Sequence, residues 1–177
     1  HDALPIFAAQ HHVDERELHN TFSVQRQLLR EAREKRVRPF KDDKILSSWN
    51  GLMIHSMAEA GCAFDEKKYL DGAVRAAQFI KDHMWKDGQL LRRWREGEAL
   101  YDAGIDEYAF LIRGLITMFE SHCGSEWLDW AIEMTEILKE QFKVPGGAFY
   151  QTDGRDQSII LRKCLFSDGA EPSRSEE

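Results

Sequence analysis

Shifting the sequence by 58 positions lays one stretch of it over another. Ile54 falls on Ile112, Leu70 on Leu128, Asp71 on Asp129, Ala73 on Ala131, Lys81 on Lys139 and Gly88 on Gly146. Apolar residues match in the gaps: Met53 with Leu111, Met57 with Leu115, Tyr69 with Trp127, Ile80 with Leu138 and Met84 with Phe142. A repeat of this length marks a supersecondary unit that cannot cover its own apolar face, so such units stack side by side or close into a ring.

Both copies read alike. Helical spacing predicts an inner helix over 46–64, carrying Trp49, Leu52, Met53, Met57 and Ala60. Its counterpart over 106–122 carries Phe110, Leu111, Ile112, Leu115, Met118 and Phe119 on more than one face, as a helix buried between neighbours does. Outer helices follow over 66–85 and 126–142, with Asp65 and Ser125 as expected N-caps. Turn chemistry at Glu96-Gly97 and Asp153-Gly154 predicts a short hairpin after each, over 90–101 and 148–162. An earlier helix is predicted over 14–35, ending ahead of Pro39. The polar residues 168–177 are expected to fray. The fold class is therefore all-α, an array of αα-hairpins with short β-hairpins between the units.

Composition narrows the partners. With 42% hydrophobic and 31% charged residues the chain belongs with globular proteins. A net charge of -7 and the lack of a basic stripe exclude a nucleic-acid surface. No apolar run approaches the roughly 20 residues of a membrane span, and the N-terminal stretch does not read as a secretory leader. Three cysteines, odd in number and far apart, predict a reduced, cytoplasmic protein. His11, His12 and His19 lack the companions a metal site needs, and no phosphate loop or nucleophile elbow is present. Neither a metal nor a cofactor is expected.

Three strings carry a resemblance. Arg38-Pro39-Phe40-Lys41-Asp42-Asp43-Lys44-Ile45-Leu46-Ser47-Ser48-Trp49-Asn50-Gly51-Leu52-Met53-Ile54 resembles the most recognisable block of the spermatogenesis-associated protein 20 family. Asp106-Glu107-Tyr108-Ala109-Phe110-Leu111 is similar to a second family block, and Ser167-Asp168-Gly169-Ala170-Glu171-Pro172-Ser173 to a third. The resemblance implies a partial (α/α)6 toroid, similar to N-acylglucosamine 2-epimerases and six-hairpin glycosidases. Family members join such a barrel to a thioredoxin-like domain. Residues 1–177 are accordingly expected to form one partial barrel domain, without that domain and without about three of the six hairpins. The second block departs from the family's usual Leu-Glu-Asp-Tyr: here Ile105-Asp106-Glu107-Tyr108 exchanges the lengths of the two carboxylates.

The repeat also groups candidate chemistry. It sets Trp49 over Glu107 and Asn50 over Tyr108, so these four are expected at one level, where the inner helices begin. An indole for stacking, an amide, a phenol and carboxylates are what a sugar site uses. Glu107 and Asp106 are the catalytic candidates; Trp49, Asn50, Tyr108 and Asp43 are the substrate-binding ones. The same residues have structural uses: Trp49 as core, Asn50 in a turn, and Asp43, Asp106 and Glu107 as acids that favour a helix start. Arg92-Arg93-Trp94-Arg95 reads as a solvated strand or as an anion-binding run. Two functions follow. One is epimerase- or glycosidase-like action on a saccharide, complete only in a longer protein. The other is a non-catalytic scaffold serving a linked redox domain. The apolar flanks of a part-ring also predict self-association.

Overall fold

The computed structural model describes residues 4–164, and six helices and four short strands lie among them. The third family block, Ser167-Asp168-Gly169-Ala170-Glu171-Pro172-Ser173, and the end expected to fray lie outside the described residues. The chain parts between Asp42 and Asp43 into two compact units, where the sequence reading treats it as one domain.

The first unit holds α1 (Leu4–His11) and α2 (Glu15–Glu34). The Asp14 carboxylate starts α2 by accepting the N–H groups of Arg16 at 2.7 Å and Glu17 at 3.1 Å, donors that no helical carbonyl can reach. This is the helix expected over 14–35. The short α1 has no counterpart in the sequence reading.

The second unit contains the repeat. Its elements run β1 (Ile45–Leu46), α3 (Ser47–Ala63), α4 (Lys67–His83), β2 (Trp85–Lys86), β3 (Gln89–Arg95), β4 (Glu98–Asp102), α5 (Ile105–Glu120) and α6 (Glu126–Gln141). The first residues of α3 and α5 stand 58 positions apart, as the repeat requires. The inner helices α3 and α5 pack on each other, while α4 lies against α3 and α6 against α5. Between these layers Ile54, Ala77, Ile80, Leu111, Leu115, Met118 and Met134 are closed from solvent. Burying an aliphatic side chain of this size stabilises by roughly 1.5–3 kcal/mol. The repeat partners Met84 and Phe142 both end their outer helix in this core.

Two expectations change. The large apolar residues Trp49 and Met53 do not face the core; they stand 70% and 56% exposed. The helix instead buries Ser47, Ser48, Gly51, Ile54, Ala58 and Gly61. Only that small-residue side admits the backbone of α5 closely, because a Cβ built on Gly51 would lie 2.6 Å from the amide nitrogen of Leu111. Ser125 holds the α6 cap position as expected, but Glu66 rather than Asp65 holds that of α4, and neither makes a side-chain capping bond.

The first hairpin forms as expected. Strands β3 and β4 pair antiparallel from Leu91–Asp102 to Arg95–Glu98, and both turn residues, Glu96 and Gly97, have positive φ. That is the turn whose twist matches the strands it joins. β1 and β2 add further antiparallel pairs to β3. The second hairpin does not form a ladder. Residues 148–150 instead pair back toward the end of α6, through the Lys143–Phe149 bridge and the Tyr150 N–H to the Phe142 carbonyl, while the Gln151 N–H donates to the Lys163 carbonyl. The Arg162 guanidinium takes the Thr152 and Gln141 carbonyls, so a side chain occupies acceptors that a partner strand would use. No helix among the described residues is long and apolar enough to cross a membrane.

Candidate functional site

A cleft of about 700 Å³ opens where α5 begins. Arg92 of β3 and Tyr101 and Asp102 of β4 form one wall, residues 103–107 the floor, and Gln151, Thr152, Asp153, Arg155 and Asp156 the opposite wall. The loop is tied to the floor through the backbone: the Ile105 N–H donates to the Gln151 carbonyl at 3.1 Å. Gly104 allows this approach, since a Cβ there would lie 2.9 Å from the same oxygen.

Glu107 is buried, 7% exposed, with both carboxylate oxygens engaged. Oε2 accepts the Gly104 N–H at 2.9 Å, the closing half of a capping arrangement, and Oε1 lies 3.5 Å from Arg92 Nε. Asp106, half-buried, lines the same floor.

The far wall has its own ion-pair chain. Arg155 Nε meets Asp153 Oδ2 at 2.5 Å, and a second nitrogen reaches Asp102 Oδ1 at 3.3 Å. Desolvation works against the Arg155 charge, but the Asp153 hydrogen bond and the carboxylates around it outweigh this and raise its pKa. Asp156 is held below the usual carboxylate range by the Ser158 hydroxyl and backbone N–H. Five carboxylates and two guanidiniums thus face one concavity. Such a lining offers many acceptors and forked donors to a hydroxyl-rich molecule. Among the described residues no three His, Cys, Asp or Glu side chains converge as metal ligands would.

The remaining sequence candidates lie elsewhere. Trp49 is on the exposed side of α3, and the Asn50 side chain donates to the Leu46 carbonyl of its own helix start at 2.8 Å. Tyr108 is buried beneath the cleft rather than in its wall; its hydroxyl accepts the Leu90 N–H at 3.0 Å and donates to Gln89 Oε1 at 3.4 Å. Burial raises its pKa. Asp43 pairs with Arg95 Nε at 2.8 Å. The structure therefore brings Asp106 and Glu107 together in the cleft, and not Trp49, Asn50, Tyr108 or Asp43. Repeat-equivalent positions have unequal surroundings, because hairpin and loop wall in the start of α5. Asp102, Asp153 and Arg155 escaped sequence reasoning. Asp153 was legible only as a turn residue, and nothing in the string pairs Arg155 with Asp102.

No family model matches the chain. It is 29% identical to spermatogenesis-associated protein 20 of Rattus norvegicus over 97% of its own length and 23% of that protein's. The human protein of the same name is 28% identical, again over 97% and 23%. The chain is a homologue of spermatogenesis-associated protein 20. An uncharacterised protein of Caenorhabditis elegans is 30% identical over 94% of the chain and 24% of its own length. The chain thus spans about a quarter of these relatives. Among solved structures, a D-mannose isomerase superposes with a TM-score of 0.50 at 14% identity, over 56% of this chain and 27% of that one. The shared property is the fold: αα-hairpins set side by side in the manner of an (α/α) toroid.

Proposed function

We propose that the cleft at the start of α5 binds a saccharide or a similar polyol, as part of a barrel of the sugar-processing kind. The observation that carries this reading is the lining: Asp106 and Glu107 on the floor, Arg92 and Arg155 on facing walls, in a cleft large enough for one or two sugar rings. The likeness to a sugar isomerase supports it at the level of fold alone. Asp106 and Glu107 are the proton-transfer candidates on that floor, and Glu107 also holds the Gly104 N–H and Arg92. Epimerisation or hydrolysis would be carried out by the longer protein of which such a unit is a quarter.

The test is a titration of the chain with neutral hexoses, N-acylated hexosamines and sugar phosphates, followed by backbone NMR. Shifts confined to residues 101–107 and 151–156, lost in Asp106→Asn, are expected. Saccharides that leave these amides unmoved would remove the reading.

A second reading, a non-catalytic scaffold serving a linked redox domain, is favoured by the engagement of Glu107. A carboxylate that caps its own helix and holds a guanidinium has a sufficient structural use. An inactive full-length protein whose Glu107→Ala variant loses stability but no ligand would favour it.

A further inference from the structure

We infer that Cys62 and Cys123 are a modification site: oxidised by a peroxide, they form a disulfide that fastens the end of α3 to the end of α5. Both residues lie within the second unit, and the cleft plays no part in the inference.

The two inner helices run parallel and keep one register. A Cβ on Gly51 would lie 2.6 Å from the Leu111 amide nitrogen, and one on Gly114 would lie 3.1 Å from Ile54 Cγ2. Further along, His55 Nδ1 is 2.8 Å from Thr117 Oγ1, and the Ser121 hydroxyl donates to the Ala58 carbonyl at 3.4 Å. One more turn of α3 beyond Ala58 brings Cys62 to the same side of the helix. Just past the end of α5, close after Ser121, stands Cys123. The series of contacts ends on two thiols. Packed helix axes usually stand roughly 8–10 Å apart, whereas a disulfide holds its Cα atoms roughly 4.4–6.8 Å apart. The close crossing at Gly51 and Gly114 narrows that gap.

The backbone of Cys123 is anchored and its sulfur is not. Its N–H donates to the Met118 carbonyl at 3.0 Å, and its carbonyl accepts the Trp127 indole N–H at 3.2 Å. Sγ has only a long contact, 3.8 Å, with the Ser121 carbonyl. Both cysteines are free thiols, and Cys62 is the exposed one. Burial, and after it Cys62, Asp71 and Glu126, raise the pKa of Cys123. Cys62 therefore meets the peroxide first, and Cys123 resolves the product. The Cys62 thiolate attacks one peroxide oxygen, the O–O bond breaks, and hydroxide leaves a sulfenic acid behind. The Cys123 sulfur then attacks that of Cys62, the S–O bond breaks, and a second hydroxide leaves. The two thiol protons turn both hydroxides into water, so two thiols give up two electrons to one hydrogen peroxide.

Peptide mapping of the folded chain under non-reducing conditions, after treatment with equimolar hydrogen peroxide, tests this. Two of the three thiols should be lost, Cys62 and Cys123 should appear in one linked peptide pair, and Cys164 should stay free. Dithiothreitol should restore all three, and the oxidised chain should unfold at a higher urea concentration than the reduced one. The same oxidation in urea is the control. An unfolded chain favours the shorter loop, so Cys123 should there pair with Cys164 more often than with Cys62. In Cys123→Ser, Cys62 should accumulate as a sulfenic acid that dimedone traps. The mapping uses the unsubstituted chain and does not depend on that variant's folding. Thiols that survive the peroxide, links to Cys164 in the folded chain, or links only between chains would each overturn the proposal.

Discussion

Gly51 and Gly114 meet where the two inner helices cross: a Cβ on Gly114 would lie 2.8 Å from the Gly51 carbonyl oxygen, and a Cβ on Gly51 would strike the backbone at Phe110 and Leu111. Each glycine makes room for the other's helix. Replacing either by alanine should favour an isolated helix by up to about 1 kcal/mol. Here the obstructing atoms are backbone and cannot swing aside. Gly51→Ala and Gly114→Ala are each expected to destabilise by about 1–3 kcal/mol, read as a lower urea midpoint with unchanged slope.

Glu107 separates charge from hydrogen bonding. Glu107→Gln keeps an oxygen for the Gly104 N–H and loses the pairing with the half-open Arg92. A cost below about 1 kcal/mol is expected for it. Glu107→Ala also removes the capping bond and should cost about 1–2 kcal/mol in thermal or urea unfolding. Equal losses in the two variants would show that the ion pair, not the cap, is what matters.

Tyr108→Phe removes the acceptor for the buried Leu90 N–H, and a cost of about 1–3 kcal/mol is expected at neutral pH. The pH dependence has a defined sign. Burial raises the phenol's pKa in the folded chain above the ordinary tyrosine value of about 10, so unfolded chains lose this proton first. The stability that the neutral phenol contributes is complete below that value and declines as pH rises through the folded one. Wild type should therefore lose stability above about pH 10 more steeply than the Phe variant. Parallel alkaline curves would contradict this.

Arg155→Ala cuts the chain of contacts between Asp153 and Asp102 across the cleft. Since Arg155 is 42% exposed, its pairs should contribute below about 1 kcal/mol to global stability. Local order should respond more. Amide exchange at residues 150–156 is expected to quicken, while the cores of α3 and α5 stay protected. Uniform exchange across the whole unit would mean that the loop wall is not a separate element.

The repeat, the helix bounds to within a few residues, and the Glu96-Gly97 hairpin were legible in the string, because period and turn chemistry are local properties. Which side of α3 faces inward was not. Helical spacing marks Trp49 and Met53 as the apolar stripe, yet close approach of two backbones is decided by the absence of side chains at Gly51 and Gly114. Sequence alone made Asp106 and Glu107 candidates and grouped them with Trp49 and Tyr108 by repeat position. Only the tertiary structure could join Asp106 and Glu107 to Asp102, Asp153 and Arg155. Those partners come from a hairpin and a loop remote in sequence, and chain contacts, not periodicity, bring them to the same helix start.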